Sequence, residues 1–177
     1  MKKNLLVLVL LGLFMIGCMS VEKRTPNNVT KLSEKNDIDV IILETVGVSG
    51  NFIGAKSGDV GLKLKVKNNS KEVKYLVWSS SSLGYDGLVS RIVTGNDKVA
   101  NINSIVPNTA IMAGRETIVT IYAADFIQYE PKTQYGGGYY FTESPMKSNV
   151  ELILSYSGSD TSKLEQAQYI IDLPSKE

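Results

Sequence analysis

The segment that most restricts the fold is residues 60–67, where apolar residues alternate strictly with glycine or lysine (VGLKLKVK). Successive side chains of a β-strand point to opposite faces, so this pattern predicts a strand with one buried and one wet face. The sequence NNSK follows at residues 68–71, and these residue types favour turns. Residues 73–78 are apolar on both faces, which is typical of a covered strand. We expect the two segments to form a hairpin.

Further segments are rich in β-branched and aromatic residues and are bounded by polar turns. These predicted strands are residues 38–46, 88–94, 117–122, 150–156 and 168–173. Residues 162–167 fit either a short helix or the start of the last strand. Outside the first residues, no segment keeps a helical period over three turns. The sequence therefore predicts an all-β domain, an antiparallel sandwich of about seven or eight strands.

The chain begins with a segment typical of export signals. Lys2 and Lys3 precede an apolar run over residues 5–16. A helix of that length spans about 18 Å, too short for a hydrocarbon core of about 30 Å, so we interpret the run as the core of a signal peptide. Gly17 and Cys18 follow at once.

The sequence Met15-Ile16-Gly17-Cys18 resembles the bacterial lipobox. That resemblance implies cleavage between Gly17 and Cys18 and a diacylglyceryl group, with further acylation such as palmitate, on the new N-terminal cysteine. Two or three acyl chains hold a protein stably at a membrane, whereas one binds reversibly. The alternative is that Cys18 is an ordinary residue after a standard secretory signal. Against it, no A-x-A-like cleavage site precedes this cysteine, the only one in the chain.

These features divide the chain into three parts. Residues 1–17 are the predicted signal peptide, residues 18–36 the lipidated N-terminus with a flexible tether, and residues 37–177 the β domain. The middle part is polar and carries Pro26, which favours a flexible coil. The alternative is that part of it docks on the domain as an extra strand.

Several functional classes are excluded by composition. The chain has no histidine, which removes Ser-His and Cys-His catalysis and histidine-ligated metals. One cysteine allows no internal disulfide and no cysteine-rich metal site. A net charge of +1 gives no electrostatic signature of nucleic-acid binding. We therefore expect no enzyme activity, cofactor, metal or nucleic acid.

Three local patterns were weighed as chemical sites. Asp37 and Asp39 form a D-x-D sequence without the remaining ligands of a calcium loop, which favours a solvated strand start. The serines at 79–82, with Lys71 or Lys74 near in sequence, admit a Ser-Lys nucleophile, although such a run is more often a loop that bonds its own backbone. Trp78, the only tryptophan, is expected to anchor the core rather than to face a ligand.

The candidate binding segment is residues 135–141 (YGGGYYF). Its aromatic residues are Tyr135, Tyr139, Tyr140 and Phe141, placed around three glycines. Tyrosine offers flat area with a polar tip at low entropic cost, so the segment suits a recognition loop. The alternative is a long hairpin tip whose aromatic rings fold back on the sandwich. No phosphate-loop spacing is present.

Several stretches together resemble a group of small bacterial lipoproteins with an immunoglobulin-like sandwich and no settled biochemical role. They are residues 64–71 (LKVKNNSK), 78–81 (WSSS), 86–87 (DG), 91–93 (RIV), 111–114 (IMAG), Ile118 and 123–125 (AAD). The resemblance covers residues 60–126 and implies an immunoglobulin-like fold. It implies no activity.

We therefore expect a non-enzymatic lipoprotein of the cell envelope that binds another envelope or secreted protein through loops or a sheet edge. The alternative is a glycan-binding or small-molecule-binding module that uses residues 135–141. Met19 follows the cysteine where, in one group of bacteria, an aspartate marks inner-membrane retention, so the outer membrane is favoured if two membranes exist.

Replacing Cys18 with serine tests the anchor. We expect the Cys18→Ser variant to lose palmitate labelling and to remain an uncleaved precursor, because the thiol is the acylated group. Metabolic labelling with palmitate and the intact mass of the product measure both effects. Normal processing of the variant would contradict the assignment.

Overall fold

The structure is a computed structural model that describes residues 23–34, 37–48, 58–85, 87–95, 106–133, 136–141, 146, 148–160 and 162–175; at 48, 128–133 and 136–141 only the backbone is described. The predicted signal peptide, Cys18 and Tyr135 lie outside these ranges. Within them, no helix has the length and apolar character needed to cross a membrane.

Strands dominate the described residues, and the helical elements among them are two short 3₁₀ turns, at Trp78–Ser80 and Ala124–Phe126. The strands are β1 (Asn28–Lys31), β2 (Ile38–Val48), β3 (Gly58–Asn68), β4 (Lys74–Leu76), β5 (Ser82–Tyr85), β6 (Leu88–Thr94), β7 (Thr109–Ile111), β8 (Glu116–Ala123), β9 (Ile127–Thr133), β10 (Gly136–Phe141), β11 (Asn149–Ser157) and β12 (Leu164–Asp172).

Ten of these strands form one sheet, in the order β1-β12-β11-β5-β6-β8-β3-β2, with β4 bonded to β11 and β7 bonded to β4. Strands β9 and β10 form a separate two-stranded sheet. Every described pairing is antiparallel. The all-β prediction is confirmed. The predicted number of strands was too low, because β1, β5, β7, β9 and β10 are short, polar or glycine-rich and carry no alternating pattern.

The alternating pattern of residues 60–67 places one face of β3 in the interior, as predicted. Leu62, Leu64 and Val66 are fully buried, whereas Lys67 is exposed. The buried face belongs to one apolar cluster that unites β2, β3 and β8 with β5, β11 and β12. Each fully buried aliphatic side chain contributes about 1.5–3 kcal/mol, so this shared core is the main source of stability in a chain without disulfides.

The predicted hairpin between β3 and β4 is wrong. Strand β3 pairs with β2 and β8, and β4 pairs with β11 and β7. The turn between them carries the chain to the other half of the sheet. The side-chain amide of Asn68 donates to the carbonyl oxygens of Glu72 (2.7 Å) and Ile111 (2.8 Å), and its oxygen accepts from the Ser70 amide (2.9 Å). A turn signal in sequence does not say which strand the chain joins afterwards.

The expected tether and the domain boundary at residue 37 also require correction. The first strand is β1, not the strand at Ile38. Strand β1 pairs with β12 from Asn28 opposite Asp172 to Lys31 opposite Tyr169. The docking alternative holds for this stretch because β12 would otherwise be an open edge, and unpaired backbone groups at a sheet edge readily accept another strand.

Trp78 is a core residue, as predicted, with 1% of its surface exposed. Its indole nitrogen donates a hydrogen bond to the hydroxyl of Thr109 at 2.9 Å. The expectation that it lies on a central strand was wrong, because the residue begins the 3₁₀ turn between β4 and β5. Residues 162–167 include the start of β12, in agreement with the strand alternative.

Gly61 provides a test of the packing between β3 and β8. It lies opposite Tyr122, and a Cβ at Gly61 would overlap the carbonyl oxygen of Ile121 and approach the Tyr122 ring to 2.9 Å. We expect Gly61→Ala to lower the free energy of unfolding by about 2 kcal/mol, since rigid backbone must move. Thermal unfolding followed by circular dichroism measures the loss. The control is Gly158→Ala, whose Cβ would meet a Glu72 carboxylate oxygen at 3.7 Å. Equal unfolding temperatures for both variants would contradict the packing account.

Candidate functional site

The most elaborate polar site lies where the chain enters the domain, at Arg24. Its Nε donates to the Asp59 carboxylate at 2.7 Å, and its terminal nitrogens donate to the carbonyl oxygens of Pro174 (2.8 Å) and Met146 (2.5 Å). The Arg24 backbone N–H donates to the Thr45 hydroxyl at 2.9 Å, and its carbonyl accepts from the Thr45 amide at 2.8 Å. The N-terminal segment is therefore fixed to β2, β3 and the C-terminal end of the chain at one point.

This ion pair is buried, with Arg24 6% exposed and Asp59 0% exposed. A buried pair is tolerated only when further hydrogen bonds satisfy the groups, and the fork of an arginine supplies several donors in fixed directions. Removing one member of such a pair costs about 3–5 kcal/mol. Sequence reasoning missed this site because Arg24 stands in a polar stretch with no periodic signal.

A second polar cluster lies at the opposite end of the sheet, around Lys74. Its ammonium group pairs with Asp37 at 2.8 Å and lies 5.6 Å from the ring centre of Tyr156. The hydrogen bond from Asp37 raises the pKa of Lys74 despite its burial. Burial, together with the neighbouring Glu165 carboxylate, raises the pKa of Tyr156. A lysine and a tyrosine with raised pKa values keep their protons at neutral pH, which does not suit either as a general base.

The serines after Trp78 take part in backbone hydrogen bonds. The Ser81 hydroxyl donates to the Val77 carbonyl at 2.9 Å and accepts from the Ser155 amide at 3.0 Å. The Ser155 hydroxyl donates to the Ser80 carbonyl at 2.5 Å. Lys74, which the Ser-Lys hypothesis required, is paired with Asp37. The arrangement supports the loop interpretation of these serines.

Asp39 also has cationic and amide neighbours. It pairs with Lys31 at 3.0 Å and accepts a hydrogen bond from the Asn69 side chain at 2.6 Å. Burial raises the pKa of Asp39, but these two hydrogen bonds outweigh it and the net pKa is lowered. Among the described residues, no group of three or more acidic or cysteine side chains is placed to hold a metal ion.

Two residues that carried the family resemblance meet in the structure. The Asp125 carboxylate accepts from the backbone N–H and the Nε of Arg91, both at 2.8 Å, and from the Ser90 hydroxyl at 3.3 Å. Burial opposes ionisation, but the hydrogen bonds outweigh it and lower the pKa of Asp125. The contact joins β6 to the turn after β8, which is a structural role.

The candidate binding segment lies largely on a strand. Tyr139, Tyr140 and Phe141 belong to β10, in register with β9 at Tyr129, Gln128 and Ile127. The pairing is irregular between Gly136 and Gly138. Within the described part of the chain, β9 and β10 bond to each other and to no further strand. The glycines therefore lie in a hairpin that leaves backbone edges open to another strand.

No family model, curated protein or solved structure matches this chain.

The Arg24 site generates a stability prediction. We expect Arg24→Met to lower the free energy of unfolding by about 3 kcal/mol, because it removes the guanidinium from a buried carboxylate. Urea unfolding of the mature protein measures the loss. Lys23→Met is the matched control, because Lys23 is 64% exposed in its pair with Glu44 and should change stability by less than about 1 kcal/mol. Adding Asp59→Leu to Arg24→Met should restore part of the loss. Similar stability of the Arg24 and Lys23 variants would contradict the account.

Proposed function

We propose that the protein is a lipid-anchored lipoprotein of the bacterial envelope, and that its β domain binds another envelope or secreted protein through the edge of the β9–β10 hairpin. The domain is of the immunoglobulin-like sandwich type that the resemblance implies. The observation that carries the binding proposal is the separate two-stranded sheet, whose strands pair only with each other among the described residues.

The anchor is supported by the sequence around Cys18. A charged start, an apolar run too short to span a membrane and a lone cysteine after Ile16-Gly17 occur together. Two or three acyl chains on that cysteine hold the domain at the envelope membrane, the outer one where two exist. The absence of histidine and the structural use of Lys74 and of the Ser79–82 region support a non-enzymatic role.

The hairpin edge suits β-strand addition. An extended segment of a partner can pair its backbone with an open edge, which gives affinity through main-chain hydrogen bonds. Glycine-rich strands have weakly specified register, so β10 can adjust its pairing to an incoming strand. Tyr139, Tyr140 and Phe141 supply aromatic side chains on that strand, and aromatic residues are enriched at protein interfaces.

A photo-crosslinking residue at Tyr140 tests this proposal. In intact cells we expect it to capture one envelope or secreted protein, identified by mass spectrometry in repeated experiments. The control carries the same group at Ile118, which is 57% exposed on β8, and should capture nothing in common. The same adducts from both positions, or none from Tyr140, would contradict an interface at β10.

The glycan alternative uses the same residues and is favoured by the dense aromatic content of residues 135–141. It predicts binding on a glycan array that Tyr139→Ala and Tyr140→Ala abolish. An array signal that these changes leave unaltered, or no signal at all, would remove the alternative.

A further inference from the structure

We propose that the end of the domain where Arg24 docks lies against the lipid bilayer, and that Leu88 and Val89 insert into the membrane interface. The proposal deepens the anchoring function and rests on acylation of Cys18. It names a second membrane contact, made by a hairpin tip that is remote in sequence from the anchor.

The first step is the length of chain between the anchor and the fold. Four residues, 19–22, separate Cys18 from Lys23, the first described residue. An extended chain advances at most about 3.6 Å per residue, so the Cα atoms of Cys18 and Lys23 are at most about 18 Å apart. A tether that ended at residue 36 would have allowed a far longer reach. The acylated cysteine therefore keeps the start of the fold close to the lipid surface.

The second step identifies which end of the sheet that is. The last pair of β11 and β12 is Asn149 opposite Asp172, and Pro174 and Met146 lie beyond it. Arg24 donates to the carbonyl oxygens of both of these outer residues. The N-terminal segment thus enters at the end of the sheet where β12 finishes.

The third step places the β5–β6 hairpin at the same end. Leu88 pairs with Tyr85, Tyr85 with Val150, and Val150 with Ile171, the residue before Asp172. The turn before Leu88 contains Gly87, whose φ of 76° lies in the left-handed region that glycine adopts without strain. The tip therefore projects from the end that the short anchor holds near the bilayer.

The fourth step is the chemistry of the tip. Leu88 is 45% exposed and Val89 is 70% exposed, and they are consecutive in sequence. A single exposed apolar side chain is common on protein surfaces, but two on one protruding tip favour transfer into an apolar phase. The acyl chains already confine this end to the interface, so the tip has a short distance to travel.

A fluorescent probe on the tip tests the proposal in the acylated protein. When Cys18 carries lipid, an introduced cysteine is the one free thiol. Leu88→Cys places it on the tip, and Leu164→Cys is the matched control. The two leucines are similarly exposed, at 45% and 47%. Leu164 begins β12, seven residues from the Leu88 level at Ile171, or about 23 Å along the strand.

Each variant is labelled with an environment-sensitive probe and reconstituted into protein-free phosphatidylcholine vesicles containing spin-labelled lipid quencher. We expect a blue shift and at least about threefold stronger quenching at position 88 than at position 164. A third variant, Val89→Cys, should behave as Leu88→Cys does, and this guards against local unfolding in one variant.

Equal quenching at positions 88 and 164 in acylated protein would overturn this inference and leave the anchor proposal standing. Protection of position 88 in native membranes but not in protein-free vesicles would also overturn it, and would indicate a protein that covers the tip. An intact mass without acyl groups would overturn the anchor and the tip contact together.

Discussion

The rest of the structure depends on the guanidinium group of Arg24, which holds the start of the chain against its end. It pairs with the buried carboxylate of Asp59 on β3 and bonds to carbonyl oxygens beyond β11 and β12. Strands β1 and β2 lie at the two ends of the sheet, and the segment from Arg24 to Lys31 bonds to both, through Thr45 on one side and Asp172 on the other. In a chain that can form no disulfide, this segment performs the closing role that a covalent link often performs in exported domains.

The opposite end of the sheet is held by several smaller contacts. Asn68 satisfies the backbone of its own turn and of β7, and Lys74 pairs with Asp37 above the Tyr156 ring. Such side-chain groups are spent on the fold, and this leaves the open edges of β9 and β10 as the surface best suited to a partner. A membrane contact at the Arg24 end and a protein contact at the hairpin are compatible, because they use different strands.

Sequence patterns predicted those parts of the fold that are local. The alternation of residues 60–67 identified β3 and its buried face because side-chain direction along a strand has period two. The partners of β3 and β4 could not be predicted, since pairing is set by which faces meet in the core rather than by the turn between them. Strand β1 carries no alternation because it lies at an edge and is half exposed. Arg24 gave no signal because a buried ion pair joins residues far apart in sequence, and nothing in the sequence near either residue indicates the other.

The central claim is that residues 24–32 belong to the folded domain. Residue-resolved amide hydrogen exchange on the mature protein measures this directly. The amides of Arg24, Asn27 and Leu32 donate to Thr45, Asp172 and Gln168, and the account predicts that they exchange as slowly as amides within β12. Exchange of these three amides at the rate of an unstructured chain, with β12 still protected, would contradict it and return the segment to the status of a free tether.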